Sequence, residues 1–275
     1  MRGDLDLVER HGRLTAQLMR LFGLNFNLAP VIEVSLDDHA DNALGGRCYG
    51  QSPEQVIAYA QVYLKALHAE GVLACGKHFP GYTGASVDAH HSLPVTDRSR
   101  AEMDRVELEP FRRLGDQLDA VMTGHIWYRS LEPKELPATF SKVMLQGILR
   151  EEIDYHGLVL SDDLDMGALL ERYRSAEVIQ RSVEAGHDQL LLCHQIDKLP
   201  EAAEALRAVA RSDVDRALQA IHTSKSQLCP PTNFSQSAFE ALNRSVWDLR
   251  VETLGPELAH EQTYVAGKRS PVEEY

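Results

Sequence analysis

Two short segments of the chain carry side chains that could transfer protons or attack a substrate. The first begins with Lys77 and His78 and continues to Asp88 and His90, which follow Lys77 by 11 and 13 residues. The second is a Leu-Val-Leu stretch that runs through a serine into Asp162. A carboxylate after a buried strand is costly unless it is paired or used, and imidazole can donate and accept a proton near neutral pH. These residue types predict a catalytic site.

The elements that must position these residues alternate along the chain. Apolar runs predict strands at 26–34, 72–79, 120–126, 157–160 and 188–193. Helical spacing predicts helices at 5–22, from 53 to 71, at 102–114, 140–152 and 175–185, and terminal helices within 199–228 and 239–254. Strands that alternate with helices indicate a parallel sheet of the α/β class. Because two of these strands end in polar residues, the pattern is typical of the rim of a β/α barrel, where active sites lie.

The composition excludes several classes of function. With 275 residues, 44% of them apolar, the chain is long enough for a full α/β core. The net charge of −13 argues against a nucleic-acid partner or an anionic membrane, and no apolar run is long enough to span a bilayer. The N-terminus lacks the apolar stretch of a signal peptide, and four scattered cysteines predict reduced thiols. We therefore expect a cytoplasmic protein.

The same residues resemble the family 3 glycoside hydrolases, and among them the bacterial β-N-acetylhexosaminidases. The family patterns K-H-F-P-G-H-G, D-S-H and S-D-D-L-x-M correspond here to the segments that begin at Lys77, Asp88 and Ser161. The resemblance is strong over residues 10–195. It implies a (β/α)8 TIM-barrel-like catalytic domain that removes terminal β-linked N-acetylglucosamine with retention of configuration, in the recycling of cell-wall peptidoglycan.

The resemblance also implies strands that are not found in the sequence. A closed barrel of this type has eight strands, whereas five are predicted here, and no segment matches the family's upstream D-x-E-G-G-x-V-x-R pattern. We therefore expect a barrel that lacks the first one to two βα units and carries C-terminal helices. The predicted domain covers residues 1–254, and the polar residues 255–275 are predicted to form a disordered tail.

Three catalytic residues are implied by the resemblance. Asp162 is the nucleophile that forms a covalent glycosyl-enzyme. His90, oriented by Asp88, takes the acid/base role that a second carboxyl group has in most glycosidases. From the residue types alone, Asp162 is more simply a helix cap, and Asp88 and His90 are polar residues of a loop. With His91 this loop also offers metal-ligand types, but no complete ligand set is evident, and neither a metal nor an organic cofactor is expected.

Five further residues are assigned to the substrate by the same resemblance. They are Arg47, Lys77, His78, His125 and Met166. The first three resemble residues that contact the sugar in the −1 subsite, whereas His125 is expected at the pocket floor and Met166 against the sugar. The alternatives are a surface arginine, a solvated Lys-His pair, and a structural histidine whose hydrogen bonds are satisfied within the protein.

The chain departs from the family pattern in its catalytic loop and in one neighbouring strand. Where the family has H-G-D after K-H-F-P-G, this chain has Tyr82, Thr83 and Gly84, and Ala89 replaces the serine of D-S-H. Glu33 replaces the aspartate of A-P-V-x-D, and its extra methylene would shift a hydrogen-bond network by about 1 Å. These changes predict altered closure of the loop.

Two alternatives to the leading function stay open at this point. A β-glucosidase of the same superfamily would share the nucleophile, but the Asp88-Ala89-His90 loop marks the hexosaminidase branch. A chain without the first strands could also be a truncated remnant or a sugar-binding pseudoenzyme, and its open sheet edge could pair in a homodimer. For the leading function, the expected partner is a small carbohydrate that contains N-acetylglucosamine.

Overall fold

The computed structural model describes residues 4–36, 44, 46–85, 87, 89 and 91–260. The strands in this part of the chain are β1 (Phe26–Asn27), β2 (Leu73–Phe79), β3 (Val95–Thr96), β4 (Ala120–Thr123), β5 (Trp127–Tyr128), β6 (Leu158–Asp163) and β7 (Gln189–Leu191). The α-helices are α1 (Leu5–Leu21), α2 (Pro53–Ala69), α3 (Arg100–Arg105), α4 (Leu108–Leu114), α5 (Gly167–Leu170), α6 (Ser175–Ala185), α7 (Leu199–Arg207), α8 (Arg211–Ser226), α9 (Gln236–Leu254) and α10 (Pro256–Ala259). A π-helix spans Val143–Glu152.

The chain divides into two compact units. One unit comprises Met1–Asn27, Gln61–Leu73 and Leu228–Tyr275, and the other comprises Leu28–Ala60 and Ala74–Gln227. Strand β2 begins at the last residue of the middle segment of the first unit and continues into the second. All the predicted site residues that the structure describes belong to the second unit.

Five strands form one sheet in the order β1-β2-β4-β6-β7. The pairs β2–β4, β4–β6 and β6–β7 are parallel, and residue Val121 of β4 lies opposite Val159 of β6. Because parallel strands bring their carboxyl ends to the same edge, the ends of β2 and β6 are close in space. Lys77 and His78 near the end of β2 therefore lie on the same rim as Asp162 near the end of β6.

The observed sheet confirms the predicted fold class. Each of the five predicted strands contributes to it, and helices connect the strands as in a β/α barrel. Within the described residues the sheet has five strands, against the eight of a closed barrel. Strand β1 is shorter than predicted, and beyond it the chain still runs beside β2, with a bridge from Val31 to Lys77 and hydrogen bonds from the N–H groups of Cys75 and Lys77 to the carbonyls of Ala29 and Pro30. Pro30 has no N–H with which to extend the ladder.

The two strands β4 and β6 in the middle of the sheet are largely buried. Strand β4 is buried along its whole length, and β6 is buried from Leu158 to Ser161. Helices on either side of a parallel sheet leave no face open to solvent, so such strands are apolar throughout rather than alternating. Polar side chains therefore appear only where the strands end.

The predicted helix at 102–114 is wrong as a single element. The structure has two helices there, α3 and α4, separated by Val106 and Glu107. Ser99 begins α3 with a capping box in which Glu102 bonds back to the serine main chain. Pro110 lies in the first turn of α4 and has no N–H to donate to the carbonyl of Val106, which ends the continuous helical ladder.

Helices α1 and α9 pack together in the first unit. Gly12 of α1 lies against α2, and a Cβ at this position would come within 2.9 Å of the Ala66 Cβ. The described residues contain no helix with the length and apolar character of a membrane span. The predicted tail at 255–275 starts with the short helix α10, and its residues from 261 onward lie outside the described residues. The predicted domain boundaries stay a prediction.

Candidate active site

Asp162 lies near the carboxyl end of β6 with its side chain 21% exposed. One carboxylate oxygen, Oδ1, accepts the N–H of Asp163 at 2.8 Å. The other, Oδ2, lies 3.8 Å from Nε2 of His78. The carboxylate therefore sits at the sheet rim, accessible to a small molecule and close to an imidazole.

The surroundings of Asp162 favour its ionised form. Burial alone would raise the pKa of this carboxyl group, but the charge of His78, the nearby His125 ring, the hydrogen bond from Asp163 and the charge of Lys77 together lower it below its usual value. Asp162 is thus an anion at neutral pH, as a carboxylate nucleophile must be.

His78 is held by a second carboxylate on its other side. The ring Nδ1 lies 2.7 Å from Oε2 of Glu33, and the main-chain N–H of His78 donates to the same oxygen at 2.9 Å. The Glu33 side chain is 0% exposed and that of His78 is 5% exposed. Because a carboxylate only accepts hydrogen bonds, Nδ1 carries a proton and Nε2 faces Asp162.

Lys77 precedes His78 on β2 and is partly buried. Burial lowers the pKa of its ammonium group, and the nearby charge of Arg47 lowers it further, whereas Asp162 acts in the opposite direction. Arg47 itself is exposed in the loop before α2. Two predicted substrate-binding cations are thus close enough to influence each other, and both belong to the unit that holds the nucleophile.

His125 follows β4 and is fully buried. Its Nε2 donates to the carbonyl of Asp163 at 2.9 Å, and its Nδ1 lies 2.6 Å from the Thr139 hydroxyl. Burial lowers the pKa of the ring, which favours the neutral form with the proton on Nε2. Both ring nitrogens are therefore hydrogen-bonded to protein groups. This favours the interpretation of His125 as a structural histidine over its interpretation as a sugar-binding residue at the pocket floor.

Tyr82 joins the two histidines. Its main-chain N–H donates to Oε1 of Glu33 at 2.7 Å, and its hydroxyl oxygen accepts the main-chain N–H of His125 at 2.6 Å. The ring lies edge-on to His78, with centroids 5.6 Å apart. A Cβ on Gly124 would come within 2.6 Å of this ring, so the glycine leaves the space that the tyrosine fills.

The two aspartates after the nucleophile bind the segment that follows β7. Oδ1 of Asp163 accepts the N–H of Cys193 at 3.0 Å, and Oδ2 lies 2.7 Å from Nδ1 of His194. Oδ2 of Asp165 accepts the N–H groups of His194 and Gln195 at 3.0 and 2.9 Å. The ligand-type atoms of Asp163, Asp165 and His194 lie within 4.8 Å of one another. Because hydrogen bonds already occupy them, we interpret the cluster as a clamp between two loops.

Met166 and Ala89 lie beside the loop that carries the nucleophile. Met166 is 2% exposed and precedes α5 as its N-cap. Ala89 is buried, and its carbonyl accepts the N–H of Ala168 at 3.2 Å. The predicted dyad residues Asp88 and His90 lie outside the described residues, so their role stays a prediction.

Three residues of this site were not assigned a role from the sequence. Glu33, Tyr82 and His194 each bond to groups that are far away along the chain. For Glu33 and Tyr82 a signal was present, because both depart from the family pattern at positions next to the assigned residues. His194 offered no signal beyond its place after the last predicted strand.

A carboxylate at the carboxyl end of one parallel strand, faced by histidine and lysine from a second strand of the same sheet, is typical of a β/α-barrel hydrolase site. The model of the glycosyl hydrolase family 3 N terminal domain matches residues 2–224 of this chain. The chain belongs to glycosyl hydrolase family 3.

Relatives and solved structures agree with this assignment. A β-hexosaminidase of Pseudomonas aeruginosa is 37% identical over 202 residues, which are 74% of this chain and 60% of the relative. A family 3 β-N-acetylglucosaminidase from Paenibacillus sp. str. FPU-7 superposes with a TM-score of 0.79 at 30% identity, over 89% of this chain and 50% of that one. The β-N-acetylglucosaminidase of Thermotoga maritima gives a TM-score of 0.74 at 26% identity, over 91% and 52%. The matched part of the chain thus covers between 50% and 60% of the length of these proteins.

Proposed function

We propose that this protein is a retaining β-N-acetylhexosaminidase that hydrolyses terminal β-linked N-acetylglucosamine. The observation that carries the proposal is the ionised Asp162 carboxylate at the rim, 21% exposed and 3.8 Å from the His78 ring. The P. aeruginosa relative is named a β-hexosaminidase, and two similar structures are β-N-acetylglucosaminidases.

In the proposed reaction, an Asp162 oxygen attacks the anomeric carbon and displaces the leaving group. His90, assisted by Asp88, gives a proton to the departing oxygen. His90 then removes a proton from a water molecule, which attacks the glycosyl-enzyme and releases Asp162. The two displacements return the sugar in its original β configuration.

Arg47, Lys77 and His78 are proposed to bind the sugar in the −1 subsite. Among the described residues, the Lys77 ammonium donates no hydrogen bond to another side chain, although burial makes an unpaired charge there costly. Sugar hydroxyls would supply acceptors for it. Met166 is proposed to pack beneath the sugar, and His125 to act indirectly, since its ring nitrogens are bonded to Thr139 and Asp163.

The test is hydrolysis of a chromogenic β-N-acetylglucosaminide by the wild type and by Asp162→Asn. We expect the substitution to lower turnover by about a thousandfold or more, as for other removed nucleophiles. Asp154→Asn is the matched control, because that aspartate is 81% exposed and adopts a φ of 60° that asparagine accepts. NMR of the product first released should show the β anomer.

Two outcomes would contradict the proposal. A folded wild type that binds the aminosugar without hydrolysing it would indicate a pseudoenzyme. A preference for the unacetylated β-glucoside would indicate a β-glucosidase.

The cellular role and the assembly are further parts of this proposal. We propose that the substrates are cell-wall fragments handled in the cytoplasm and that the protein acts as a homodimer. Release of N-acetylglucosamine from purified muropeptides would support the first statement. A mass of one chain in sedimentation equilibrium would contradict the second.

A further inference from the structure

His78 lies between two carboxylates, one buried and one at the rim. Its Nδ1 is 2.7 Å from Glu33 and its Nε2 is 3.8 Å from Asp162. We propose that Glu33 is a positioning residue for the nucleophile, and that it acts by holding the His78 ring against Asp162. This inference rests on the proposed function, in which Asp162 attacks the sugar.

Glu33 cannot rotate away from this position without losing several bonds. Its two oxygens accept from the main-chain N–H of His78, from the His78 ring and from the main-chain N–H of Tyr82, at 2.9, 2.7 and 2.7 Å. Two of these donors belong to the backbone, so the carboxylate is fixed relative to the strand ends. A ring bonded to a fixed carboxylate is restricted in its own rotation, and Nε2 stays directed at Asp162.

The electrostatic effect follows from the burial of Glu33. Glu33 is fully buried and lies at hydrogen-bond distance from the His78 ring. Among the groups that lower the pKa of Asp162 the charge of His78 is the largest, so this effect depends on the ring staying beside Asp162. Glu33 thus supports the ionised nucleophile without touching it.

Other charged groups face the same two side chains. Lys77 from β2 and His125 after β4 also favour the Asp162 anion, and Arg47 faces Lys77. His78 itself is faced by Glu33, Asp162, His125 and the Tyr82 ring. Because Lys77 and the hydrogen bond from Asp163 remain when Glu33 is neutralised, the expected effect is a shift of the Asp162 titration and not a loss of its ionisation.

The first experiment compares Glu33→Gln and Glu33→Asp with the wild type. Neutralising Glu33 should move the acid limb of the kcat/KM profile upward by about one pH unit, as expected for the loss of an opposite charge within a few Å. Glu33→Asp keeps the charge, so its acid limb should stay in place even if kcat falls. A residue needed only for stability would lower activity in both variants without moving the limb of either.

The same shift can be read without any substrate. In protein labelled with 13C at the aspartate carboxyl groups, the Asp162 resonance is assigned by its loss in Asp162→Asn. The midpoint of the Asp162 titration should move to higher pH in Glu33→Gln. An unchanged midpoint in that folded variant would overturn the proposal. If the wild type hydrolyses no aminosugar, the proposed function fails while this titration still decides the role of Glu33.

Two further variants guard against a folding defect. Asp188→Asn removes another buried carboxylate of the same unit, which pairs with Arg150 and Arg216, and should lower stability without moving the midpoint of the Asp162 titration.

His78→Asn removes the ring through which Glu33 acts, and it should move the midpoint of the Asp162 titration to higher pH even if Glu33→Gln does not fold. In the His78→Asn background, Glu33→Gln should add no further shift. An unchanged titration in His78→Asn, or additive shifts, would overturn the proposal.

Discussion

The main-chain N–H of Ala168 donates a hydrogen bond to the carbonyl of Ala89 at 3.2 Å. Ala89 stands between the two predicted dyad residues in the sequence, and Ala168 lies in the first turn of α5, six residues after Asp162. One backbone bond thus connects the loop of the proposed acid/base to the loop of the proposed nucleophile.

Ala168→Pro should weaken this connection and leave the helix intact. Proline is tolerated in the first helical turn, where its missing N–H has no partner within the helix. Losing about 1 kcal/mol of hydrogen bonding between the loops should lower kcat/KM roughly fivefold. Steady-state kinetics with a chromogenic aminosugar would measure the change. Ala168→Gly keeps the N–H and is the control, so equal losses in the two variants would count against a role for this bond.

Tyr82→Phe should destabilise the protein and lower activity. The variant keeps the ring but leaves the buried N–H of His125 without its acceptor, at an expected loss of about 1–3 kcal/mol in the free energy of unfolding. Urea denaturation would measure the loss. Thr83→Val removes a neighbouring hydroxyl that donates to the carbonyl of Val34 and is partly exposed, so it should cost less. A larger loss in Thr83→Val would be inconsistent with this ranking.

His187 should make the protein less stable as the pH falls. The ring is fully buried between Thr123 and the carbonyl of Ser182, and burial lowers its pKa from 6.5 to about 4. The folded state therefore resists protonation that the unfolded state accepts below pH 6.5. The contribution of the neutral ring is complete above this value and is lost progressively as the pH falls through 4, by about 3 kcal/mol at pH 4.

Comparison with His187→Gln isolates this effect from the titration of other groups. The difference in unfolding free energy between the wild type and the variant should narrow between pH 7 and pH 4. His222→Gln, at an exposed position, should instead run parallel to the wild type. A constant difference for His187→Gln would mean that the ring titrates equally in both states.

Chelation should leave activity unchanged. Asp163, Asp165 and His194 bring ligand-type atoms together, but these atoms bond to the backbone of residues 193–195 and to one another. The kcat/KM measured before and after dialysis against EDTA should therefore agree, with a zinc hydrolase treated in parallel as a control for the chelator. Loss of activity that Zn²⁺ restores would refute the interpretation of this cluster as a clamp.

Much of the fold could be predicted because the signals are local. The apolar runs around Cys75, Val121 and Val159 were correctly predicted as parallel strands, and a polar residue at a strand end predicted the rim. The break between α3 and α4 depends on one N–H that Pro110 lacks. The periodic spacing of apolar residues does not reveal this missing donor.

In the candidate site, too, some features could be predicted from local sequence and others depend on the tertiary structure. Residue types and spacing predicted that Asp162, Lys77 and His78 lie at the carboxyl ends of strands, whereas their catalytic and substrate-binding roles were implied by the family resemblance and stay predictions. The partnership of Glu33 with His78, across 45 residues of sequence, depends on side-chain directions that are set by the packing of neighbouring strands. The same packing buries both nitrogens of His125 and directs Asp163 to His194. Local sequence thus specifies which groups reach the rim, whereas their pairing and ionisation depend on distances that exist only after the strands have assembled.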